Sequence, residues 1–169
     1  IRGAVFADDG VKSTLIISPP YGGKTTLLRE LARLAGARRN TLVIDERFEI
    51  AAAENGVPTL DVGDCDVVSG VGKLVAYENT IRAMSPEVIV TDELFREAEV
   101  DAVCDAVRSG VKVFATLHGA GLESVTRSPV FSRLLSVMEL FVVLSPVPRV
   151  GTVVSVTGAD ELAGGGAGG

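Results

Sequence analysis

Nine residues, Ser18-Pro19-Pro20-Tyr21-Gly22-Gly23-Lys24-Thr25-Thr26, carry the most legible chemistry in the chain. They follow an apolar run, Leu15-Ile16-Ile17, and lead into leucines at helical spacing. Strand, glycine-bearing loop closing in Gly-Lys-Thr, then helix is the order a phosphate-binding loop needs. Small residues let backbone N–H groups close around phosphate oxygens, and the helix N-terminus adds partial positive charge. On this reading Pro20, Tyr21, Gly22, Gly23, Lys24, Thr25 and Thr26 form the nucleotide cradle. Lys24 reaches the β- and γ-phosphates, and the Thr25 hydroxyl holds Mg²⁺. The usual pattern opens with Gly, whereas position 18 is Ser, which lacks glycine's freedom at positive φ. The plain alternative is an ordinary turn that happens to contain Gly-Lys-Thr; the strand before it and the helix after it argue against that.

Three more apolar runs end in groups that could act on a phosphate. Val88-Ile89-Val90 ends in Thr91-Asp92-Glu93. There Asp92 would hold Mg²⁺ through water, and Glu93 would orient and polarise an attacking water. Val111 to Leu117 ends at His118, the single histidine of the chain, placed to sense a γ-phosphate or position the water. Leu42-Val43-Ile44 delivers Asp45-Glu46-Arg47-Phe48-Glu49, either a solvated loop or a group near the γ-phosphate or a neighbouring subunit. In open α/β sheets ligand groups gather at the carboxyl ends of strands, where all these residues fall.

These residues need a sheet flanked by helices. Ala4-Val5-Phe6 and Thr14 to Ile17 read as two strands around the turn Asp8-Asp9-Gly10. Leu27, Leu28, Leu31, Leu34 and Ala35 share one helical face, and Gly36 ends that helix. Leu74, Tyr77, Ile81 and Met84 make a second face, stopped by Pro86. Val100, Val103, Cys104 and Val107 make a third, closed by Gly110. Residues 122–137 have helical spacing broken by Pro129. Leu140 to Leu144 and Gly151 to Val156 read as an antiparallel pair. The stretch 51–71 is the least legible; Asp61, Asp64 and Asp66 lack the spacing of a calcium loop and read as solvated.

With 169 residues, 47% hydrophobic and 22% charged, the chain is expected to be one globular domain. No apolar run approaches the roughly 20 residues of a membrane span. A net charge of −6 argues against a main role in gripping nucleic acid. Two cysteines without a Cys-x-x-Cys pairing suggest neither a zinc knuckle nor a disulfide framework, which fits a reducing cytoplasm. The chain starts at Ile1, so a preceding domain is expected to be absent. Residues 1–160 form the expected ATPase domain, and the glycine-rich tail 161–169 is expected to be disordered.

Four marks then line up: the phosphate loop, Asp45-Glu46-Arg47-x-Glu49, Ser85-Pro86-Glu87-Val88-Ile89-Val90-Thr91-Asp92-Glu93, and Ala115-Thr116-Leu117-His118-Gly119. In this order they resemble the ATPase domain of the stage III sporulation protein AA family, which is similar to the type II and type IV secretion ATPases. The resemblance covers about residues 12–156, and Ser18 is acceptable in that branch. It implies an α/β fold of the phosphate-loop NTPase type (RecA/AAA-like): a three-layer sandwich with a mainly parallel central sheet and a C-terminal antiparallel strand pair. It implies a Mg²⁺-dependent ATPase whose catalytic residues include Glu93, His118, Arg47 and Glu46, with Thr25 and Asp92 at the metal. Arg47 replaces the proline of the secretion-type acidic box, and Asp92 stands where those enzymes often have Gly. The family works as homo-oligomeric rings, expected to be hexamers, which raises the question of an arginine finger; Arg47, Arg82, Arg96 and Arg149 are the candidates. Its setting is cytoplasmic, peripheral at the cytoplasmic face of a membrane, in the mother cell, with membrane-channel or secretion-complex proteins as partners. Two other readings stand beside it. One is an ATPase associated with single-stranded nucleic acid, disfavoured by the acidic balance and 5% aromatic content. The other is a nucleotide-gated assembly module with negligible hydrolysis.

Overall fold

The computed structural model describes residues 1–164. Its centre is a seven-stranded sheet of β1 (Thr14–Ser18), β2 (Thr41–Asp45), β3 (Asp66–Ser69), β4 (Val88–Glu93), β5 (Lys112–His118), β6 (Leu140–Ser145) and β7 (Thr152–Gly158). The spatial order is β3-β2-β4-β5-β1-β6-β7. Every neighbouring pair is parallel except β6 with β7, which is antiparallel. β1, β2 and the first five residues of β4 are buried throughout, as parallel strands covered on both faces must be.

Alternate residues of each strand feed two separate cores. Ile16, Val43, Val88, Val90, Phe114 and Val142 face α2 (Lys24–Gly36) through Leu28, Leu31, Ala32 and Ala35. Leu15, Ile17, Ile89, Val113, Ala115 and Phe141 face the other layer. That layer contains α3 (Lys73–Met84), α4 (Glu97–Arg108), α5 (Glu123–Thr126) and a 3₁₀ turn at Phe131–Ser136. The result is the three-layer sandwich with a C-terminal antiparallel pair that the sequence led us to expect. Phe114 is fully buried at the centre of β5, with the Phe6 ring edge-on at 6.1 Å. Phe114→Ala is expected to lower unfolding free energy by about 3–5 kcal/mol, read from chemical denaturation.

Three local expectations need correction. Ala4-Val5-Phe6 is not a strand: Arg2–Val5 forms a short helix, α1, seating Val5 in the core. A β-branched, aromatic run looks extended, but tertiary burial of one side chain decides so short a segment. Gly36 does not stop α2 from a left-handed conformation. It is the last helical residue, and a Cβ there would meet Cys65 Sγ at 2.8 Å, so close packing against the 64–65 segment is what requires glycine. Residues 161–164 of the expected tail lie in a helix, α6 (Ala159–Gly164), and the rest of that tail lies outside the described residues. No described helix is long and apolar enough to cross a membrane.

Candidate active site

The carboxyl ends of β1, β2, β4 and β5 lie side by side in the sheet, although their residues are far apart in sequence. β1 ends at Ser18, whose hydroxyl donates to the Pro19 carbonyl at 2.7 Å. Ser18 keeps the extended backbone of the strand. Positive φ falls instead on Tyr21 (60°) and Gly23 (91°), so replacing the usual opening glycine by serine costs no strain. The loop is compact enough to demand its glycines. A Cβ at Gly22 would lie 1.7 Å from Ser18 Oγ, and one at Gly23 would meet Gly151 and Val150. Gly151 N–H also donates to the Gly22 carbonyl at 3.1 Å, so the turn between β6 and β7 braces the loop.

Gly23 caps α2 without any side-chain hydrogen bond, which leaves the first N–H groups of a 13-residue helix directed at the loop. Lys24 and Thr25 open that helix and are half-buried; Thr26, Pro20 and Tyr21 are exposed. This cradle has the form of an anion site.

Glu93 reaches Lys24 from two strands away: Nζ and Oε2 are 3.5 Å apart, although β5 lies between β1 and β4. The delivery depends on a break in register. Val90 pairs with Phe114, yet Glu93 pairs with Thr116, so three steps of β4 match two of β5. A bulge of this sort re-aims the side chains that follow it. Leu94 N–H then donates to the Thr116 carbonyl at 3.0 Å and fixes the exit.

Asp92 points the other way, into a buried charged cluster. Lys73 Nζ lies 2.7 Å from Asp92 Oδ1, 3.7 Å from Glu99 Oε1 and 3.9 Å from Glu46 Oε2. Lys73 also donates to the Glu93 carbonyl. Apart from that ammonium, neither Asp92 oxygen has a hydrogen-bond partner among the described residues. Burial raises the Asp92 carboxyl above its ordinary value, and the neighbouring ammonium pulls it back.

The remaining expected residues take the rim. Arg47 is exposed and stacks on the Phe95 ring, with its guanidinium carbon 4.5 Å from the centroid. His118 is exposed at the end of β5, beside Ser18 in register. Arg82, Arg96 and Arg149 are also exposed, and Arg96 is the N-cap residue of α4. Asp45, the first acid of its run, is buried and accepts from the N–H groups of Glu49 (2.9 Å), Ile50 (3.1 Å) and Ala51 (2.8 Å). It shapes the loop that presents Glu46 and Arg47. Sequence reasoning missed Lys73; its one signal was a lysine opening a helix, where the helix dipole disfavours a cation.

The family model "Sporulation stage III, protein AA" matches residues 1–160. Stage III sporulation protein AA of Bacillus subtilis (strain 168) is 37% identical over 157 residues, covering 88% of this chain and 51% of that protein. The chain thus spans about half the length of this relative. Among solved structures, the VirB11 ATPase from the Brucella suis type IV secretion system, in complex with sulphate, superposes with a TM-score of 0.63 at 17% identity. That match covers 89% of this chain and 51% of the other. The Legionella pneumophila ATPase DotB gives 0.55 at 21% identity, covering 78% and 40%. At these identities the structural likeness establishes the fold: that of secretion ATPases.

Proposed function

The chain belongs to the stage III sporulation protein AA family, and from that premise we propose that it binds Mg²⁺-ATP at the loop 18–26 and hydrolyses it. The convergence of Lys24 and Glu93 at 3.5 Å carries this reading. It sets a phosphate-seeking cation and a water-orienting carboxylate on opposite sides of one small space. The residues present also fit the implied ligands. The glycine cradle leaves no room for a Cβ and the α2 N–H groups are uncapped.

In this mechanism the backbone of Gly22 to Thr25 and Lys24 Nζ hold the β- and γ-phosphates. The Thr25 hydroxyl would hold Mg²⁺; the Asp92 carboxylate, turned into the Lys73 cluster, would join it only after leaving that ammonium. Bound Mg²⁺ supplies neutralisation of charge on the phosphate oxygens. Glu93 leaves its ion pair with Lys24 once phosphate takes that cation, and its carboxylate then orients the attacking water and accepts its proton. Glu46 and His118 face the same edge and assist in sensing the γ-phosphate. Arg47, exposed and stacked on Phe95, is the favoured finger, acting in its own site or in that of a neighbouring subunit. We extend the reading to a homo-oligomeric ring, hexameric by analogy, that acts with membrane-channel or secretion-complex proteins at the cytoplasmic face of a membrane during sporulation.

Hydrolysis per subunit, followed across a wide range of protein concentration, tests the reading. A steep rise supports a site completed between subunits; constant activity places all of it in one chain. Absence of both nucleotide binding and turnover at every concentration contradicts it. Gly22→Ala is expected to weaken nucleotide binding by about tenfold, since Ser18 and the loop must shift to admit the methyl group. Titration with a fluorescent ATP analogue reads that change.

A further inference from the structure

Lys73 is the buried cation that the mechanism above leaves unused. It opens α3, where its charge opposes the helix dipole, and it is 3% exposed. An ammonium in such a place requires compensation by paired charges and hydrogen bonds. Four groups provide it: the Asp92 carboxylate, the Glu99 carboxylate, the Glu46 carboxylate and the Glu93 carbonyl. The Phe95 ring adds its face, with its centroid 5.6 Å from Nζ.

Three of these four partners, Asp92, Glu93 and Glu99, bear on the turn that follows β4; Glu46 reaches in from the loop after β2. Glu99 Oε2 accepts the N–H groups of Phe95 (2.7 Å) and Arg96 (3.1 Å). Lys73 holds the carbonyl of Glu93 on one side of that turn and the opposite oxygen of Glu99 on the other. The same Phe95 carries Arg47. Three elements, α3, the end of β4 and the start of α4, therefore meet at one ammonium. An ordinary structural ion pair links two elements; this one fixes the backbone on which the proposed water-orienting carboxylate hangs.

We infer that Lys73 is a positioning residue: it locks residues 92–96 so that the Glu93 carboxylate stands opposite Lys24. This inference rests on the hydrolase reading for its catalytic consequence, but not for its structural one. A displacement of about an ångström in such geometry costs on the order of 100-fold in rate. Loss of the lock leaves Glu93 with part of its productive population, so a drop of about 30-fold in turnover is expected, with nucleotide affinity within about twofold of the parent.

The test compares Lys73→Met with the parent protein, full chain, by three readouts: phosphate release at saturating Mg²⁺-ATP, affinity for a fluorescent ATP analogue, and amide hydrogen exchange. The expected result is reduced turnover at unchanged affinity, with faster exchange confined to Leu94, Phe95 and Arg96 while β1 and α2 stay protected. Parental turnover, or exchange that rises evenly over the whole sheet, overturns the inference and leaves Lys73 a general stabiliser. Should Lys73→Met fail to fold, Glu99→Gln keeps shape while removing one leg of the lock. It is expected to speed exchange at the same three amides, and unchanged exchange there overturns the inference. If the parent itself turns over no ATP, the hydrolase reading fails, and the exchange pattern alone decides whether Lys73 holds the turn.

Discussion

Glu93→Gln is expected to bind ATP and turn it over about 10²- to 10⁴-fold more slowly than the parent, the range for loss of a positioned acid–base group. The substitution is nearly isosteric, so the bulge of β4 and the Leu94 N–H to Thr116 bond that follow it are undisturbed. What changes is the charge. An amide cannot accept the proton of the attacking water, and it cannot pair with Lys24, now 3.5 Å from the carboxylate. Freed of that pair, Lys24 is more available to phosphate, and a negative charge is removed from beside the γ-phosphate. The affinity for ATP is accordingly expected to hold or to tighten. Single-turnover phosphate release and analogue binding read the two effects separately. Parental turnover by this variant removes Glu93 from the catalytic role.

Lys24→Ala is expected to act at the other end of the same pair, and at an earlier step. Its side chain is 13% exposed at the base of the loop, at the N-terminus of α2. Removing it deletes charge-assisted hydrogen bonds to phosphate worth about 3 kcal/mol, or about 100-fold in Kd. Turnover should fall below detection, because the cation that stabilises the transferring phosphoryl group is gone as well. The fold should persist: the long apolar side chains that seat α2 on the sheet are Leu28 and Leu31, and they remain. Analogue binding together with a thermal melt distinguishes a lost site from a lost fold.

The two substitutions differ in how visible their targets are in sequence. Lys24 is announced by its neighbours: glycines, a following threonine and the helix after them. Glu93 is announced by the apolar strand before it. Both signals are local, and the structure brings the two residues together through a strand order that crosses β5 between them. The main strands and long helices were legible for the same reason, since apolar runs and helical spacing are properties of short windows.

What stayed hidden is non-local. β3 has only Val67 and Val68 as apolar residues, and half-buried at the sheet edge it needs no more. Asp45 looks from its neighbours like part of a charged cluster at the site. Its burial, and the three N–H groups it accepts, depend on how the following loop folds back. Arg29 of α2 completes that fold by donating to the carbonyls of Glu49 and Ile50. Lys73 belongs to the same class: nothing near it in sequence is acidic enough to announce four partners drawn from the loop after β2, from β4 and from α4. Serine at position 18 shows the converse. The pattern suggested a strained residue, and the backbone has moved the positive φ to Tyr21 and Gly23 instead.

Phosphate release from ATP by the full chain, with Mg²⁺ and with chelator, against Lys24→Ala as the blank, tests the central claim most directly. Release is expected to need Mg²⁺, to exceed the blank by at least about 100-fold, and to saturate with ATP. Release that is the same for the parent and the blank, at every protein concentration and in the presence of Mg²⁺, would contradict it.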